Sequence, residues 1–154
     1  MGCDIHSFAE RRNKDTNKWE VVKDCVTSSD FRREYYKKEK DSSPFGWRNY
    51  LTFGFLAGVR YRNIEPISEP KGLPDDLSKE VLDEYNSLRL DAHSASYLTL
   101  RELVEFDYDK SCTGDDYPNE TYRDVLNDLF FVHLEDLKTL GDLDDVRVVF
   151  WFDN

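Results

Sequence analysis

The sequence predicts an α+β fold in which a small antiparallel or mixed sheet is covered by about four or five helices. Residues 3–10 alternate between two faces, as a half-buried strand does. The C-terminal stretch "DDVRVVFWFDN" is rich in β-branched and aromatic residues on both faces, which is typical of a central strand. Helical spacing and capping signals occupy most of the chain between these strands. The element order β-β-α-α-α-α-α-β therefore indicates an N-terminal hairpin and a C-terminal strand in one sheet.

The first half of the chain continues the hairpin and then becomes helical. The stretch "KWEVVKDC", residues 18–25, predicts a strand that pairs back on the first. Residues 31–40, "FRREYYKKEK", predict a short exposed helix between capping and turn residues. Residues 47–62 are apolar almost all round, and Gly54 and Gly58 are spaced by four. A buried helix with close backbone contacts or a core strand fits this pattern, and the length of the segment favours the helix.

A proline-rich segment separates this helix from the next. Residues 63–78 contain three prolines and one glycine, a composition that stiffens a loop and suits the wall of a pocket. Residues 77–88 have the spacing of an amphipathic helix that is capped by Asp76 or Ser78. A loop or short strand should follow, because the Thr99-x-x-Glu102 capping box begins a further helix.

The last predicted helix is a long one. Asn119 is of a residue type that is favoured at a helix N-cap, and Gly141 is of the type that commonly ends a helix. Its inward positions are apolar: Val125, Leu129, Val132, Leu137 and Leu140. His133 lies in the middle of this helix beside apolar neighbours, so it is interpreted as a hydrogen-bonded core or boundary residue.

Length and composition predict a single globular domain, residues 1–154, in the cytoplasm. No stretch approaches the roughly 18 consecutive apolar residues of a membrane span, and the N-terminus has no signal-peptide pattern. Three cysteines without a CxxC pair fit a reducing compartment. The net charge of -11 argues against binding duplex DNA, while an acidic surface leaves open a DNA mimic or an inhibitor of a basic protein.

Two Asp-x-His triplets are the clearest candidates for a metal-binding or catalytic site. They are formed by Asp4 and His6 and by Asp91 and His93, and an extended backbone places each pair on one side about 7 Å apart. Four such groups match the ligands of a divalent metal (Zn, Mn or Fe), or a catalytic acid and base. Hydrogen-bonded structural pairs are the alternative. Cys3 should point to the opposite face of its strand and lie in the core.

Candidate contacts to an anionic ligand flank the central apolar helix. Arginine forks match phosphate geometry, and serine hydroxyls next to a histidine can donate to a ligand oxygen. These candidates are Arg48, Asn49, Arg60, Arg62, Lys71, Ser94 and Ser96. For the cations, pairing with the excess carboxylates is the alternative, and for the serines, local hydrogen bonds to the backbone.

Five segments together resemble one family of proteins. They are "MGCDIH", "RNYLTFGFLAGVR", "PISEPKGLPDDLS", "DAHSASYLTLREL" and "VRVVFWFDN". In this order they resemble a family of uncharacterised proteins of tailed bacteriophages and prophages. The resemblance implies a phage accessory protein in the host cytoplasm and brings no established activity with it.

Three functional hypotheses follow. The first is a metal-dependent hydrolase that acts on a small phosphorylated or nucleotide-like molecule. The second is a binding protein that sequesters a host defence signal nucleotide, with Trp47, Tyr50 and Tyr97 stacking on a base. The third is an anti-defence inhibitor whose acidic surface binds a host protein. A homo-oligomer is compatible with each of them.

Overall fold

The computed structural model describes residues 2–28, 39–61, 63–88, 90–112, 114 and 117–153. The elements of these residues, in chain order, are β1 (Asp4–Asn13), β2 (Lys18–Val22), β3 (Val26–Thr27), β4 (Lys40–Asp41), α1 (Tyr50–Ala57), α2 (Lys79–Ser87), β5 (His93–Thr99), α3 (Leu100–Glu105), α4 (Tyr122–Val125), α5 (Asp128–Lys138) and β6 (Val146–Asp153). In the described ranges no helix has the length and apolar character needed to cross a membrane. The α+β prediction is confirmed.

A four-stranded antiparallel sheet organises the fold in the order β2-β1-β6-β5. The predicted hairpin is present, with Asn13 opposite Lys18 at its turn. The C-terminal strand β6 lies between β1 and β5, as its apolar residues on both faces predicted. Because β1 and β5 both run antiparallel to β6, the start of β1, the start of β5 and the end of β6 meet at the same end of the sheet.

Both faces of the sheet are covered. The main core, with Cys3, Ile5, Phe150 and Phe152, packs with residues of α1, α3 and α5. A smaller core on the other face packs Val81 of α2 with residues of β6. The reason is β6 itself, since its alternate residues are buried on either face and each set needs a cover.

Local capping explains where the helices begin and end. The Asn49 side chain accepts hydrogen bonds from two backbone amides of α1, and Gly58, with φ of 69°, ends that helix well inside the predicted range 47–62. Ser78 caps α2 as predicted, and the capping box of Thr99 and Glu102 begins α3. The segment before Thr99 is the edge strand β5.

The predicted long helix from Asn119 to Gly141 is wrong, because the structure divides this segment into α4 and α5. Thr121 caps α4, and the Asn127 side chain accepts from the Phe130 amide to begin α5. The side chain of Asn127 thus competes with continuation of the helix. The helix predicted over 31–40 lies outside the described residues except for its last positions, of which Lys40 belongs to β4.

Candidate functional site

The two Asp-x-His triplets do not converge on one pocket. Ile5 and His93 are both in register with Phe152, so these three residues share one face of the sheet. His6 is in register with Trp151 and therefore lies on the opposite face. The strand β6 also separates the two histidines by two strand spacings, roughly 10 Å. This antiparallel register does not support the expectation that both triplets contribute to one metal or catalytic site.

The first triplet forms one ion pair and one histidine–carboxylate hydrogen bond at the end of the sheet. The Arg48 guanidinium donates to both carboxylate oxygens of Asp4, at 2.8 and 2.9 Å, and these bonds lower the pKa of that carboxyl. His6 Nε2 lies 2.7 Å from Asp153 Oδ2. Arg48, a candidate anion contact, is thus already neutralised by Asp4.

The two polar residues of the second triplet lie in different elements. Asp91 is exposed in the turn before β5, whereas His93 begins the strand and stacks on Phe152, with ring centroids 6.2 Å apart. Across the described ranges no group of three or more His, Cys, Asp or Glu residues is placed to hold a metal ion. The Zn, Mn or Fe site of Asp4, His6, Asp91 and His93 stays a prediction that this arrangement does not support.

A cavity of about 720 Å³ lies between the end of α1 and the start of β5. It is lined by the segment that follows α1, by the proline-rich loop and by the first residues of β5. Three candidate residues predicted from sequence line it together: Arg60, His93 and Ser94. We call this space the α1–β5 cavity.

The backbone around the α1–β5 cavity is unusual. Arg60 and Ser94 have φ angles of 64° and 55°, in the left-handed region that residues with a Cβ rarely adopt. Ser94 lies within an irregularity between His93 and Ser96, where β5 shifts its register against β6. Such conformations cost free energy and concentrate at ligand sites.

Arg60 is the basic residue among the described residues that line the cavity. Its guanidinium carbon lies 5.9 Å from the centre of the Tyr50 ring, and the Tyr50 hydroxyl accepts from the Cys3 amide. Within the described part of the chain, no carboxylate forms an ion pair with Arg60. Since the chain has 32 acidic residues and 21 basic ones, an exposed arginine without an acidic partner is a candidate contact for an external anion.

His93 and Ser94 add hydrogen-bonding groups to the same wall. His93 Nδ1 lies 3.1 Å from Ser94 Oγ. His93 Nε2 is buried and has no hydrogen-bond partner among the residues described. A buried polar atom without a partner is uncommon in folded proteins.

The proline-rich loop forms a wall of the cavity through Pro66 and Pro70, in agreement with its composition. Backbone hydrogen bonds hold it on both sides of this wall. The Ile67 amide donates to the Phe55 carbonyl and the Gly72 amide donates to the Ala95 carbonyl, each at 2.8 Å. The loop therefore also covers the free edge of β5.

Three other candidate contacts have structural partners. Asn49 caps α1 through its side-chain oxygen. Lys71 Nζ pairs with the Glu102 carboxylate at 2.6 Å, and its backbone amide donates to Ser96 Oγ. Ser96 is 1 % exposed. These groups hold the loop and the helix in place, and Arg62 lies outside the described residues.

Sequence reasoning missed Glu69, which lines the cavity, and Asp153, which pairs with His6. Glu69 lies between two prolines already assigned to a pocket wall, and this position was the available signal. The aromatic residues expected to stack on a base do not line the cavity. Trp47 is buried against His133, and Tyr97 packs under Lys71.

His133 is a structural residue, as predicted. Its Nδ1 accepts from the Phe45 amide at 2.9 Å, and its Nε2 donates to the Thr27 carbonyl at 2.8 Å. These two bonds require the neutral imidazole, and burial lowers its pKa to about 4.

Comparisons with protein-family models, with curated proteins and with solved structures each found no match to this chain. The geometry of the α1–β5 cavity is therefore the basis for a functional proposal, and the resemblance to phage proteins stays a prediction.

Gly54→Ala is expected to displace the segment after α1, which lines the cavity, and to lower the free energy of unfolding. An added Cβ would lie 3.1 Å from Tyr61 Cβ and closer still to the Tyr61 carbonyl oxygen, so the segment that carries Arg60 must shift. Overpacking of this kind costs about 1–3 kcal/mol. Urea unfolding measures this loss, and Gly72→Ala, whose Cβ would meet no atom within 4 Å, isolates the ordinary cost of a left-handed glycine. Equal, small losses in both variants would contradict the close approach.

Proposed function

We propose that the protein binds a small phosphorylated or nucleotide-like ligand in the α1–β5 cavity. The observation that supports this most directly is the convergence of Arg60, His93 and Ser94 on one cavity. Arginine forms paired hydrogen bonds to phosphate oxygens, and a hydroxyl and an imidazole supply further polar contacts. The volume of about 720 Å³ is within the range of small-molecule sites, about 300–1,000 Å³.

The cavity also has a surface for the rest of such a ligand. Val59, Ile64, Pro66 and Pro70 give it an apolar part, which suits the faces of a base or a sugar. Sites for small molecules typically combine such apolar walls with a few polar groups that orient the ligand. A nucleotide has both kinds of surface.

Binding without turnover is the form of the proposal that the site favours. Metal-assisted hydrolysis was expected to use Asp4, His6, Asp91 and His93 together, and of these only His93 lines the cavity. The protein would then act by sequestering an intact nucleotide. A host defence signal in a phage-infected cell is the biological setting that the sequence resemblance suggests for this proposal.

Arg60→Ala is expected to weaken ligand binding by at least about tenfold, because a charge-assisted bidentate contact is lost. Isothermal titration calorimetry with cyclic and linear nucleoside monophosphates and with sugar phosphates measures this change. Arg123→Ala is the matched control, since it also removes one exposed arginine. Arg123 pairs with Asp109 and is far from Arg60 along the chain. The affinity of this variant should equal that of the wild type.

Two results would overturn the proposal. One is the absence of binding by every phosphorylated compound at millimolar concentration, and the other is unchanged affinity in Arg60→Ala. Chromatography of the recovered ligand tests turnover. Conversion by the wild type that is lost in His93→Ala would replace sequestration by catalysis at the same cavity.

A further inference from the structure

We infer that the phosphate group of the ligand in the α1–β5 cavity carries a single negative charge, as the phosphodiester of a cyclic nucleotide does. This inference rests on the proposed function and concerns which phosphorylated ligand is selected. It follows from a comparison of the formal charge of the residues around the cavity with the charge of each class of ligand.

The described residues that line the cavity balance to zero formal charge. Arg60 contributes the positive charge and Glu69 the negative one, with histidine counted as neutral. Two other candidate cations from the sequence are already paired, since Arg48 forms an ion pair with Asp4 and Lys71 with Glu102. Among the residues that the structure describes, one guanidinium at the cavity is therefore available to neutralise one ligand charge.

The remainder of the protein disfavours further negative charge. The net charge of -11 creates a negative potential around the molecule, and Glu69 lies at the cavity itself. A phosphate monoester carries about -1.5 to -2 at pH 7, and a triphosphate carries more. Every charge beyond the first would meet repulsion, and no second unpaired cation among the described lining residues would offset it.

A cyclic nucleotide fits these constraints. Its phosphodiester has one negative charge with two free oxygens, which matches the two-pronged donor geometry of Arg60. The hydroxyl and amino groups of the nucleoside are donors, which suits the carboxylate of Glu69 as an acceptor. The apolar wall is then left for the base or the sugar.

The test compares matched pairs of ligands that differ in charge. Calorimetric titrations without divalent cations would use 3′,5′-cyclic monophosphates, 5′-monophosphates and 5′-triphosphates of the four RNA bases. For the base that binds best, the cyclic form should bind about tenfold more tightly than the linear monophosphate and more tightly still than the triphosphate. Raising the ionic strength from about 0.05 to 0.5 M should narrow these differences, because salt screens the repulsion.

A pair of charge-neutralising variants locates the repulsion. Glu69→Gln should narrow the preference for the cyclic form several-fold. Glu65→Gln makes the same change of net charge in the same loop outside the cavity lining, and should leave the preference close to that of the wild type.

The outcomes separate this inference from the proposed function. Equal or tighter binding of the linear monophosphate or triphosphate would overturn the selection for a single charge and leave the nucleotide site standing. A preference for the cyclic form that neither salt nor Glu69→Gln changes would overturn the electrostatic cause. The absence of binding by all three classes would overturn both.

Discussion

Arg147→Met is expected to lower the free energy of unfolding by about 3–5 kcal/mol, because it leaves a buried carboxylate without its partner. Arg147 and Glu10 are in register on β6 and β1. Arg147 Nη2 lies 2.7 Å from Glu10 Oε1, and the two side chains are 5 % and 0 % exposed. A carboxylate held in this position without a counter-charge is among the most destabilising changes that one substitution can make.

Further contacts join this ion pair to the rest of the molecule. Arg147 Nη1 lies 2.7 Å from Asp76 Oδ1, and this bond lowers the pKa of Asp76. The second oxygen of Glu10 accepts from the amide of Ser78, the cap of α2. The indole of Trp19 lies 4.0 Å from the guanidinium carbon of Arg147. The pair therefore ties α2 and the end of the proline-rich loop to the sheet.

Urea unfolding of three variants measures the effect. Arg123→Met is the matched control, because it breaks the exposed pair with Asp109 and should cost less than about 1 kcal/mol. The double variant Glu10→Gln with Arg147→Met should be more stable than Arg147→Met alone, since the unpaired charge is gone. A loss below 1 kcal/mol in Arg147→Met would show that Glu10 is not held as a buried charge.

The titration of His133 is expected to lower the free energy of unfolding by about 3 kcal/mol as the pH falls from about 6.5 to 4. Burial lowers the pKa of His133 to about 4, from an ordinary value of 6.5. The unfolded chain therefore binds a proton at higher pH than the folded chain. The stabilisation is complete above pH 6.5 and is lost progressively as the pH approaches 4.

The difference between wild type and His133→Gln isolates this effect. Glutamine has a donor and an acceptor but does not titrate, so the variant keeps the pH dependence of all the carboxylates and loses that of His133. It should be less stable than the wild type at pH 7.5, and the gap should shrink towards pH 4. Parallel stability curves across this range would contradict a neutral, buried His133.

Local sequence signals predicted much of the fold. The caps at Ser78 and Thr99 were predicted because the side chain of a cap bonds to amides two or three residues away. The burial of Cys3 followed from strand alternation, which depends only on neighbouring residues. Interactions of such short range can be inferred from composition and spacing alone.

The candidate site was only partly predictable. The rigid wall at Pro66 and Pro70 followed from composition, and Arg60 and His93 were among the candidates. Nothing local distinguished Arg60, which has no acidic partner in the described residues, from Arg48, which Asp4 neutralises. Both are arginines that flank the same helix, and their difference depends on residues far away in the chain.

The sequence by itself determined the N-terminal hairpin, the C-terminal strand, the caps of α2 and α3 and the α+β class of this protein, because these depend on side chains close together in the chain. Only the tertiary structure decided which polar residues meet. The antiparallel register of β1, β6 and β5 places His6 and His93 on opposite faces of the sheet, although both belong to Asp-x-His triplets. A shift by one residue reverses the face of every side chain in a strand, so the composition of a site depends on strand pairing that no local pattern encodes.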